Sequence, residues 1–385
     1  MSKLHAMLIF GTRPEAVKMA PLLRECLCRS DQLRPTVCLT GQHREMLVRA
    51  VEYFGIRADV QFDLMRPNQT LAGLTARCIE HVDEVLLSFR PDCVVVQGDT
   101  TTALAASTAA FYRRIPLVHV EAGLRTGSLL APWPEEFNRR VADMVAAVNC
   151  APTRRAADVL AAEGVPSAKI HVTGNTVVDA LLQTIDREKA NAGKWQEKYV
   201  ALADRRMILI TGHRRESFGR PFEQICRAIA TLAMRFDDCE FVYPVHLNEN
   251  VRQPAYEVLG NVRNIRLIDP VAYPEFVWLM DRSALILTDS GGVQEEAPSL
   301  GKPVLVLRDV TERPEAVEAG AARLVGTSTD AIVAAVATLL TNPEKYAACQ
   351  IDRNPYGDGR AAERIVDLML RQGFVGHATD SEFVA

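Results

Sequence analysis

The sequence predicts an α/β protein of two domains, each built on a doubly wound parallel sheet. A chain of 385 residues is too long for one ordinary core and suits two domains. Short apolar runs alternate with longer helical patterns in the first half, which is typical of βαβ units. The same alternation restarts near residue 207. With 48% hydrophobic and 24% charged residues, the composition is that of an ordinary globular protein.

Charged residues follow each strand that the first half predicts. These strands lie at 7–10, 36–39, 93–97 and 117–120. Ligands of doubly wound sheets bind beyond the carboxyl ends of the strands. We therefore expect one edge of the sheet to gather the charged side chains Arg13, Lys18, His43, Asp99 and Glu121.

The next element of the first half is a helix that two prolines introduce. Pro132 and Pro134 restrict the backbone just before this helix, and the pattern predicts that the helix runs from Glu135 through Val148. Acidic residues are favoured in a first helical turn, so a capping role for Glu135 and Glu136 stays open. The polar stretch 186–206 predicts an exposed helix and loop before the next strand.

The second half predicts strands at 207–210, 240–245, 265–268, 285–287 and 304–307, and one turn there suggests a ligand. The apolar run ending at Leu287 predicts a buried strand, residues 288–292 a tight turn, and Val293 the start of a helix. Adjacent glycines let backbone N–H groups approach an anion, and a helix N-terminus favours negative charge. A diphosphate suits this turn, although the glycines could also serve only to close it.

The domain boundaries follow from these patterns. Residues 1–175 form the first Rossmann-like domain, which the helix 361–372 is expected to complete. Residues 176–360 form the second domain, and 373–385 a flexible tail. We expect the two charged edges to face each other across a central cleft.

Composition and motifs exclude several classes of function. The net charge of −4 lacks the positive excess that nucleic-acid binding needs, and no apolar run is long enough to span a membrane. The opening residues lack the features of a signal peptide, so we expect a cytoplasmic protein. Cysteines and histidines lack metal-ligand spacing, and the dinucleotide fingerprint is missing after the first strand. We therefore expect no metal and no cofactor.

Ten motifs in order then carry a family resemblance. They are FGTRPEAVKMAP (10–21), QHREML (42–47), GDTT (98–101), HVEAGLR (119–125), PWPEE (132–136), GNT (174–176), GHRRE (212–216), DSGG (289–292), TERPE (311–315) and NPYGDG (354–359). With them the chain resembles the bacterial non-hydrolysing UDP-N-acetylglucosamine 2-epimerases. The resemblance implies a GT-B fold and reversible epimerisation at C2, giving UDP-N-acetylmannosamine for surface polysaccharide biosynthesis. It also implies that UDP is eliminated to a bound glycal and then added back.

The resemblance assigns the site residues by position. The catalytic residues it implies are Asp99, Glu121, Glu135 and His213. Which acid serves which face of the sugar stays open. The substrate-binding residues it implies are Arg13, Lys18, Arg214, Val271, Phe276, Ser290, Gly291, Gly292, Glu296 and Arg313.

The resemblance further implies a homodimer and activation by the substrate itself. The activating site would involve Gln42, His43 and Arg66, although Gln42 and His43 could equally form a structural loop. The alternatives are a GT-B glycosyltransferase with a UDP-sugar donor, a 2-epimerase of a related diacetamido sugar, a hydrolysing relative, and a UDP-sugar sensor without catalysis. A glycosyltransferase would leave the three acidic residues without a common task.

Overall fold

The computed structural model describes residues 2–41, 44–66, 69–202, 205–212 and 214–374. The chain divides into two compact units. The first comprises Met1–Ala180 and Tyr356–Ala385, and the second comprises Leu181–Pro355. The predictions for Gln42, His43 and His213, and for the tail beyond residue 374, lie outside the described residues.

The strands of the first unit form one parallel sheet of seven strands. They are β1 (Leu4–Phe10), β2 (Leu33–Leu39), β3 (Val60–Gln61), β4 (Cys93–Gln97), β5 (Leu117–Val120), β6 (Val148–Ala151) and β7 (Ile170–Val172). Their order across the sheet is β3-β2-β1-β4-β5-β6-β7. The order reverses between β1 and β4, so the chain leaves these two strands in opposite directions. Such a switch point opens a crevice beyond the strand ends.

Helices cover both faces of this sheet. They are α1 (Arg13–Cys28), α2 (Arg44–Phe54), α3 (Leu71–Phe89), α4 (Thr101–Tyr112), α5 (Glu135–Val145), α6 (Arg154–Ala162) and the first part of α7 (Thr176–Lys189). Side chains of β1 alternate between two cores because successive residues of a strand point to opposite faces. Leu8 and Phe10 pack with α1, whereas Met7 and Ile9 pack with α3 and α4.

The second unit holds a parallel sheet of six strands, β8 (Arg206–Thr211), β9 (Cys239–Pro244), β10 (Ile265–Ile268), β11 (Leu285–Thr288), β12 (Val304–Val306) and β13 (Ala322–Leu324). Their order is β10-β9-β8-β11-β12-β13, the same winding as in the first unit. Its helices are α8 (Ala192–Lys198), α9 (Arg220–Arg235), α10 (Glu249–Leu259), α11 (Tyr273–Arg282), α12 (Gly291–Glu296), α13 (Pro314–Glu318), α14 (Thr329–Thr341) and α15 (Pro343–Ala347).

A last helix, α16 (Ala361–Arg371), returns to the first unit. Its Ile365, Val366 and Met369 join the core that α1 and β1 share. The carboxylate of Asp179 accepts hydrogen bonds from the N–H groups of Ala361 and Ala362, at 3.2 and 2.8 Å. These bonds satisfy donors that the first turn of a helix leaves unpaired.

Some predicted boundaries were wrong. The helix from Glu135 ends at Val145 rather than Val148, because Ala146 is extended and Val148 already opens β6. Helix α12 begins at Gly291, ahead of the predicted Val293. The polar stretch 186–206 is not wholly exposed either, since Trp195 is buried and its indole N–H donates to Glu188 at 2.8 Å.

Two kinds of feature are absent from the described residues. No helix there has the length and apolarity that crossing a bilayer requires. Within the same residues, no cluster of His, Cys, Asp and Glu side chains has an arrangement able to hold a metal ion.

Candidate functional site

A largely buried ion pair in the first unit joins Lys18 to Glu121. The ammonium of Lys18 on α1 lies 2.8 and 2.6 Å from the two carboxylate oxygens of Glu121, which follows β5. Their side chains are 13% and 5% exposed. The structure therefore brings together two predicted site residues that are 103 positions apart in sequence.

Glu121 occupies an unusual backbone conformation. Its φ of +68° lies in the left-handed region, which residues other than glycine adopt rarely and at a cost of about 1–3 kcal/mol. The side-chain amides of Gln97 and Asn175 also donate to the carboxylate, Asn175 at 3.4 Å. A strained backbone and at least three donors around one carboxylate are typical of a functional group held in a defined orientation.

Asp99 lies at the neighbouring strand end and has its own cation. The guanidinium of Arg139, on α5, lies 2.5 Å from the carboxylate, and the Asn138 amide donates to the backbone carbonyl of Asp99 at 2.9 Å. Arg139 is 6% exposed and Asp99 is 28% exposed. Asp99 thus keeps one face open to solvent while a buried cation orients it.

Glu135 begins α5, two turns of helix before Asp143. It is partly exposed, in the acidic first turn of the helix. Among the residues that the structure describes, no hydrogen bond joins its carboxylate to Asp99 or Glu121. The structure therefore pairs Lys18 with Glu121 and Arg139 with Asp99, but it does not bring Glu135 into either pair.

A second buried carboxylate, Glu15, ties two of these loops together. It accepts hydrogen bonds from the N–H groups of Gly11 and Thr12, at 3.0 and 2.7 Å, and from the Thr100 hydroxyl at 2.7 Å. Thr12 and Glu15 form a capping box at the start of α1, where Arg13 occupies the first, half-buried position. Burial raises the pKa of Glu15 despite these donors. Thr100 in turn caps α4, so Glu15 joins the loops after β1 and β4.

In the second unit, the predicted anion-binding turn opens a helix as expected. Ser290 is the N-cap residue of α12, and Gly291 and Gly292 form its first turn. A Cβ atom on Gly291 would lie 3.1 Å from the guanidinium carbon of Arg313, whereas one on Gly292 would meet nothing closer than 3.9 Å. The Arg313 guanidinium also lies 2.9 Å from the Glu295 carboxylate. Arg313 therefore brings a positive charge to the helix N-terminus.

Glu296 lies at the other end of α12. It is 5% exposed and accepts a hydrogen bond from the Tyr273 hydroxyl at 2.6 Å. Tyr273 is the first residue of α11, and Phe276 lies in the same turn; both Phe276 and the preceding Val271 are partly exposed. The first turn of α11 thus lies beside Glu296, together with the residues predicted to contact a base.

The loop after β8 is held on both sides of position 213. The hydroxyl of the buried Tyr243 donates to the Gly212 carbonyl at 2.7 Å. The N–H of Arg214 donates to the Asp289 carboxylate at 2.8 Å. These contacts fix the backbone next to His213, whose own position lies outside the described residues.

A buried arginine connects this loop to the TERPE motif. Arg308 lies 2.5 Å from Glu216 and 2.9 Å from Glu312. Burial raises the pKa of Glu312, but the hydrogen bond and charge of Arg308 outweigh it and lower that pKa to about 2. Glu312 is therefore charged at neutral pH, and it lies 3.8 Å from the Arg313 guanidinium.

The predicted activating site is only partly described. Arg66 is exposed, and its N–H donates to the Gln69 side chain at 3.1 Å. Among the described residues, no hydrogen bond or ion pair joins Arg66 to the residues around Glu121.

Comparison with known proteins decides the family. The family model described as UDP-N-acetylglucosamine 2-epimerase matches residues 26–370. The chain belongs to the UDP-N-acetylglucosamine 2-epimerase family. It is 52% identical to the UDP-N-acetylglucosamine 2-epimerase of Escherichia coli K12 over 366 residues, which is 94% of this chain and 97% of the relative.

Solved structures of the family agree. The 2-epimerase from Neisseria meningitidis bound to UDP-GlcNAc superposes with a TM-score of 0.91 at 47% identity, covering 96% of this chain and 100% of that chain. A complex of an S. aureus relative with UDP gives 0.87 at 43% identity, with 96% of both chains covered. The predicted family and the α/β fold of GT-B type are therefore confirmed.

Several supporting residues were not among the predicted site residues. They are Glu15, Gln97, Arg139, Asn175, Tyr243, Tyr273, Asp289 and Glu295. A signal existed for Glu15, Asn175 and Asp289, because each lies inside a motif that carries the resemblance. Gln97, Tyr243 and Arg139 lie within regular elements, where sequence alone does not distinguish them from other buried polar residues.

Proposed function

We propose that this chain interconverts UDP-N-acetylglucosamine and UDP-N-acetylmannosamine by inverting C2 of the sugar. The observation that carries the proposal is the buried Glu121 carboxylate, paired with Lys18 and held in a strained conformation beside the Asp99 loop. Family membership supplies the substrate. The acidic residues supply the proton transfers that inversion at carbon requires.

The proposed route is elimination followed by re-addition. The C2 proton is not next to a carbonyl, so simple enolisation is not available. A carboxylate takes this proton, a C1–C2 double bond forms, and the C1–O bond breaks with its electron pair passing to UDP. UDP then adds back to C1 while a proton reaches the opposite face of C2. No redox cofactor takes part.

We assign the proton transfers to Asp99, Glu121 and Glu135, and we place His213 near the leaving phosphate. Asp99 and Glu121 suit these roles because each carboxylate is held in place by a largely buried cation, Arg139 and Lys18 respectively. Glu135 forms no such ion pair among the described residues, and its role rests on its position at the start of α5.

The nucleotide is proposed to bind at the α12 turn. The N–H groups of Gly291 and Gly292 and the Ser290 hydroxyl suit a diphosphate, and Arg313 adds charge. The Glu296 carboxylate suits the ribose hydroxyls. Arg13, Lys18 and Arg214 are assigned to the sugar and diphosphate, and Val271 and Phe276 to the uracil.

Proton NMR of UDP-N-acetylglucosamine with the enzyme in heavy water tests the proposal. We expect UDP-N-acetylmannosamine with deuterium at C2 and no accumulation of UDP. An unchanged spectrum would refute the activity. Stoichiometric UDP would instead indicate a hydrolase, and UDP release only with an added acceptor would indicate a glycosyltransferase. Turnover of a diacetamido UDP-sugar alone would mean that this sugar, and not UDP-N-acetylglucosamine, is the substrate.

Variants test the residue assignments in the same assay. Asp99→Asn and Glu121→Gln are expected to abolish deuterium exchange at C2, because the amide takes no proton. UDP binding, measured by calorimetry, should persist because the nucleotide is assigned to the α12 turn. Exchange at the wild-type rate in either variant would remove that residue from the mechanism.

The proposal includes activation by UDP-N-acetylglucosamine at a second site near Gln42, His43 and Arg66. It predicts a sigmoidal dependence of rate on substrate concentration, and hyperbolic kinetics over a wide range would contradict it. We further propose a cytoplasmic enzyme that serves surface polysaccharide biosynthesis.

A homodimer is the last part of the proposal. Phe111 and Tyr112 at the end of α4 and Met144 near the end of α5 are 60%, 69% and 71% exposed, and these helices belong to one layer of the first unit. Exposed aromatic and methionine side chains on neighbouring helices are typical of subunit interfaces. Light scattering should give twice the mass of the 42.5 kDa chain, and Tyr112→Asp should reduce it towards that of the monomer.

A further inference from the structure

A fully buried histidine lies directly behind the proposed acid/base residues. His119 is the third residue of β5, and its side chain is 0% exposed. Its Nε2 atom lies 2.7 Å from the Gly98 carbonyl oxygen, and its Nδ1 atom lies 2.6 Å from Oδ1 of Asp143. A carbonyl oxygen only accepts hydrogen bonds, so Nε2 must carry a proton.

The surroundings of Asp143 determine the proton on Nδ1. Its other oxygen accepts from the Arg125 guanidinium at 2.8 Å and from the Gly123 N–H at 3.3 Å. Burial raises the pKa of Asp143, but the charges of His119 and Arg125 outweigh burial, so this pKa lies below its usual range. Asp143 is therefore a carboxylate, and Nδ1 donates to it.

The charges around the ring agree with an imidazolium. Burial lowers the pKa of His119, but the charge and hydrogen bond of Asp143 outweigh it and raise that pKa. The charged groups that face the ring are Asp143 from α5 and Asp99 from the loop after β4. Arg125 reaches the ring only through Asp143, and Glu163 neutralises Arg125 at 2.6 Å.

These bonds connect the three segments that carry the proposed acid/base residues. Gly98 directly precedes Asp99, and His119 lies two residues before Glu121 on the same strand end. Asp143 lies on α5, the helix that begins at Glu135. Since a neutral imidazole has one N–H donor, only the doubly protonated ring donates to both partners.

We propose that His119 and Asp143 form a positioning pair for the reaction, in which a permanently charged His119 ring holds the Gly98 carbonyl and thereby the backbone of Asp99. Asp143 keeps the ring doubly protonated and ties it to the loop after β5. Neither residue touches the substrate. The catalytic part of this inference rests on the proposed epimerase function, whereas the protonation of the ring does not.

The first test is nitrogen NMR of the full-length chain labelled at histidine. The chain has eight histidines, and the His119 signals are assigned by their loss in His119→Gln. Both ring nitrogens of His119 are expected to stay protonated from pH 6 to pH 8. One unprotonated ring nitrogen at pH 7 would overturn the proposal, whatever the activity of the enzyme.

The second test is Asp143→Asn. The asparagine amide donates to Nδ1, so the ring loses one proton and its bond to Gly98 is no longer charge-assisted. Charge-assisted bonds are roughly twice as strong as neutral ones, so we expect kcat to fall about five- to tenfold. KM and the affinity for UDP should change less than about twofold, because the nucleotide contacts are elsewhere.

Asp83→Asn is the matched control, because it removes a carboxylate from an ion pair with Arg113 elsewhere in the same unit. It should leave kcat and the His119 signals as in the wild type.

If Asp143→Asn loses one ring proton of His119 but keeps the wild-type kcat, the positioning role is overturned. A loss of UDP affinity equal to the loss of kcat would indicate a merely structural role. If Asp143→Asn does not fold, the ring signals of the wild type still decide the protonation on which the proposal stands. An inactive wild type would refute the epimerase function and leave the ring test in force.

Discussion

Replacing Lys18 with methionine leaves the Glu121 carboxylate buried without its cation. The ammonium lies within hydrogen-bond distance of both carboxylate oxygens, at 2.8 and 2.6 Å. Because Glu121 is 5% exposed, water can replace only a small part of this interaction. A methionine fills a similar volume and makes no hydrogen bond, so the change isolates the loss of charge.

The expected magnitude follows from the burial of the pair. Removing one member of a buried ion pair costs about 3–5 kcal/mol, because the other charge stays behind without compensation. Gln97 and Asn175 still donate to Glu121, so we take the lower limit of about 3 kcal/mol. In a domain of this size each kcal/mol shifts the melting temperature by about 2–4 °C, which gives a fall of roughly 6–12 °C.

A double-mutant cycle measured by calorimetry provides the assay. Glu121→Gln removes the charge that Lys18→Met leaves unpaired, so the double variant should be more stable than Lys18→Met alone. The coupling free energy should be about 1–3 kcal/mol, in the range for residues in direct contact.

Two results would refute this reasoning. One is a fall of less than about 2 °C in Lys18→Met, which is the behaviour of exposed ion pairs. The other is additivity of the two single changes, which would mean that Lys18 and Glu121 do not depend on each other. Either result would also remove the reason for treating Lys18 and Glu121 as one functional pair.

Two further predictions concern the second unit. Gly291→Ala should be less stable than Gly292→Ala by about 1 kcal/mol in calorimetry, because only its Cβ atom is forced against Arg313, at 3.1 Å; equal stability would mean that the arginine moves freely. Glu312→Gln should destabilise the protein at pH 7, where the carboxylate is paired with Arg308. Since the folded pKa of Glu312 is about 2, below its unfolded value, this stabilisation is lost as pH falls from about 4.3 towards 2. The difference in melting temperature between wild type and Glu312→Gln should therefore shrink below pH 4.5, and a constant difference would contradict the pairing.

The strands and the loops after them could be predicted from sequence because each buried strand is a short apolar run with a charged turn behind it. The short edge strands β3 and β13 escaped prediction, since two or three residues give no readable alternation. The end of α5 was wrong for a related reason. Its last residues run into Ala146 and Val148 without a break in hydrophobicity, so the pattern does not mark where helix gives way to strand.

The site was predictable as a set of positions but not as a set of contacts. Family motifs named Asp99 and Glu121, and the sheet order explains why their loops meet at one edge. The motifs did not indicate that Arg139 pairs with Asp99 or that Gln97 donates to Glu121. The residues of these two pairs lie 40 and 24 positions apart in the sequence, so no local pattern connects them. The left-handed backbone of Glu121 is likewise set by the turn after β5 and not by the glutamate itself.

The two units solve the same positioning problem with different chemistry. In the first, His119 on the strand next to β4 donates to the carbonyl of Gly98, the residue before Asp99. In the second, Tyr243 on the strand next to β8 donates to the carbonyl of Gly212, the residue before position 213. Both donors are buried, and both bind the first peptide after a strand, where the hydrogen bonds of the sheet no longer hold the backbone.

The two donors differ in charge. In the first unit His119 is also paired with Asp143, whereas burial raises the pKa of Tyr243 well above its ordinary value and keeps its hydroxyl a neutral donor. A charged donor therefore lies behind the loop that is assigned a carboxylate, and a neutral donor behind the loop that is assigned a histidine.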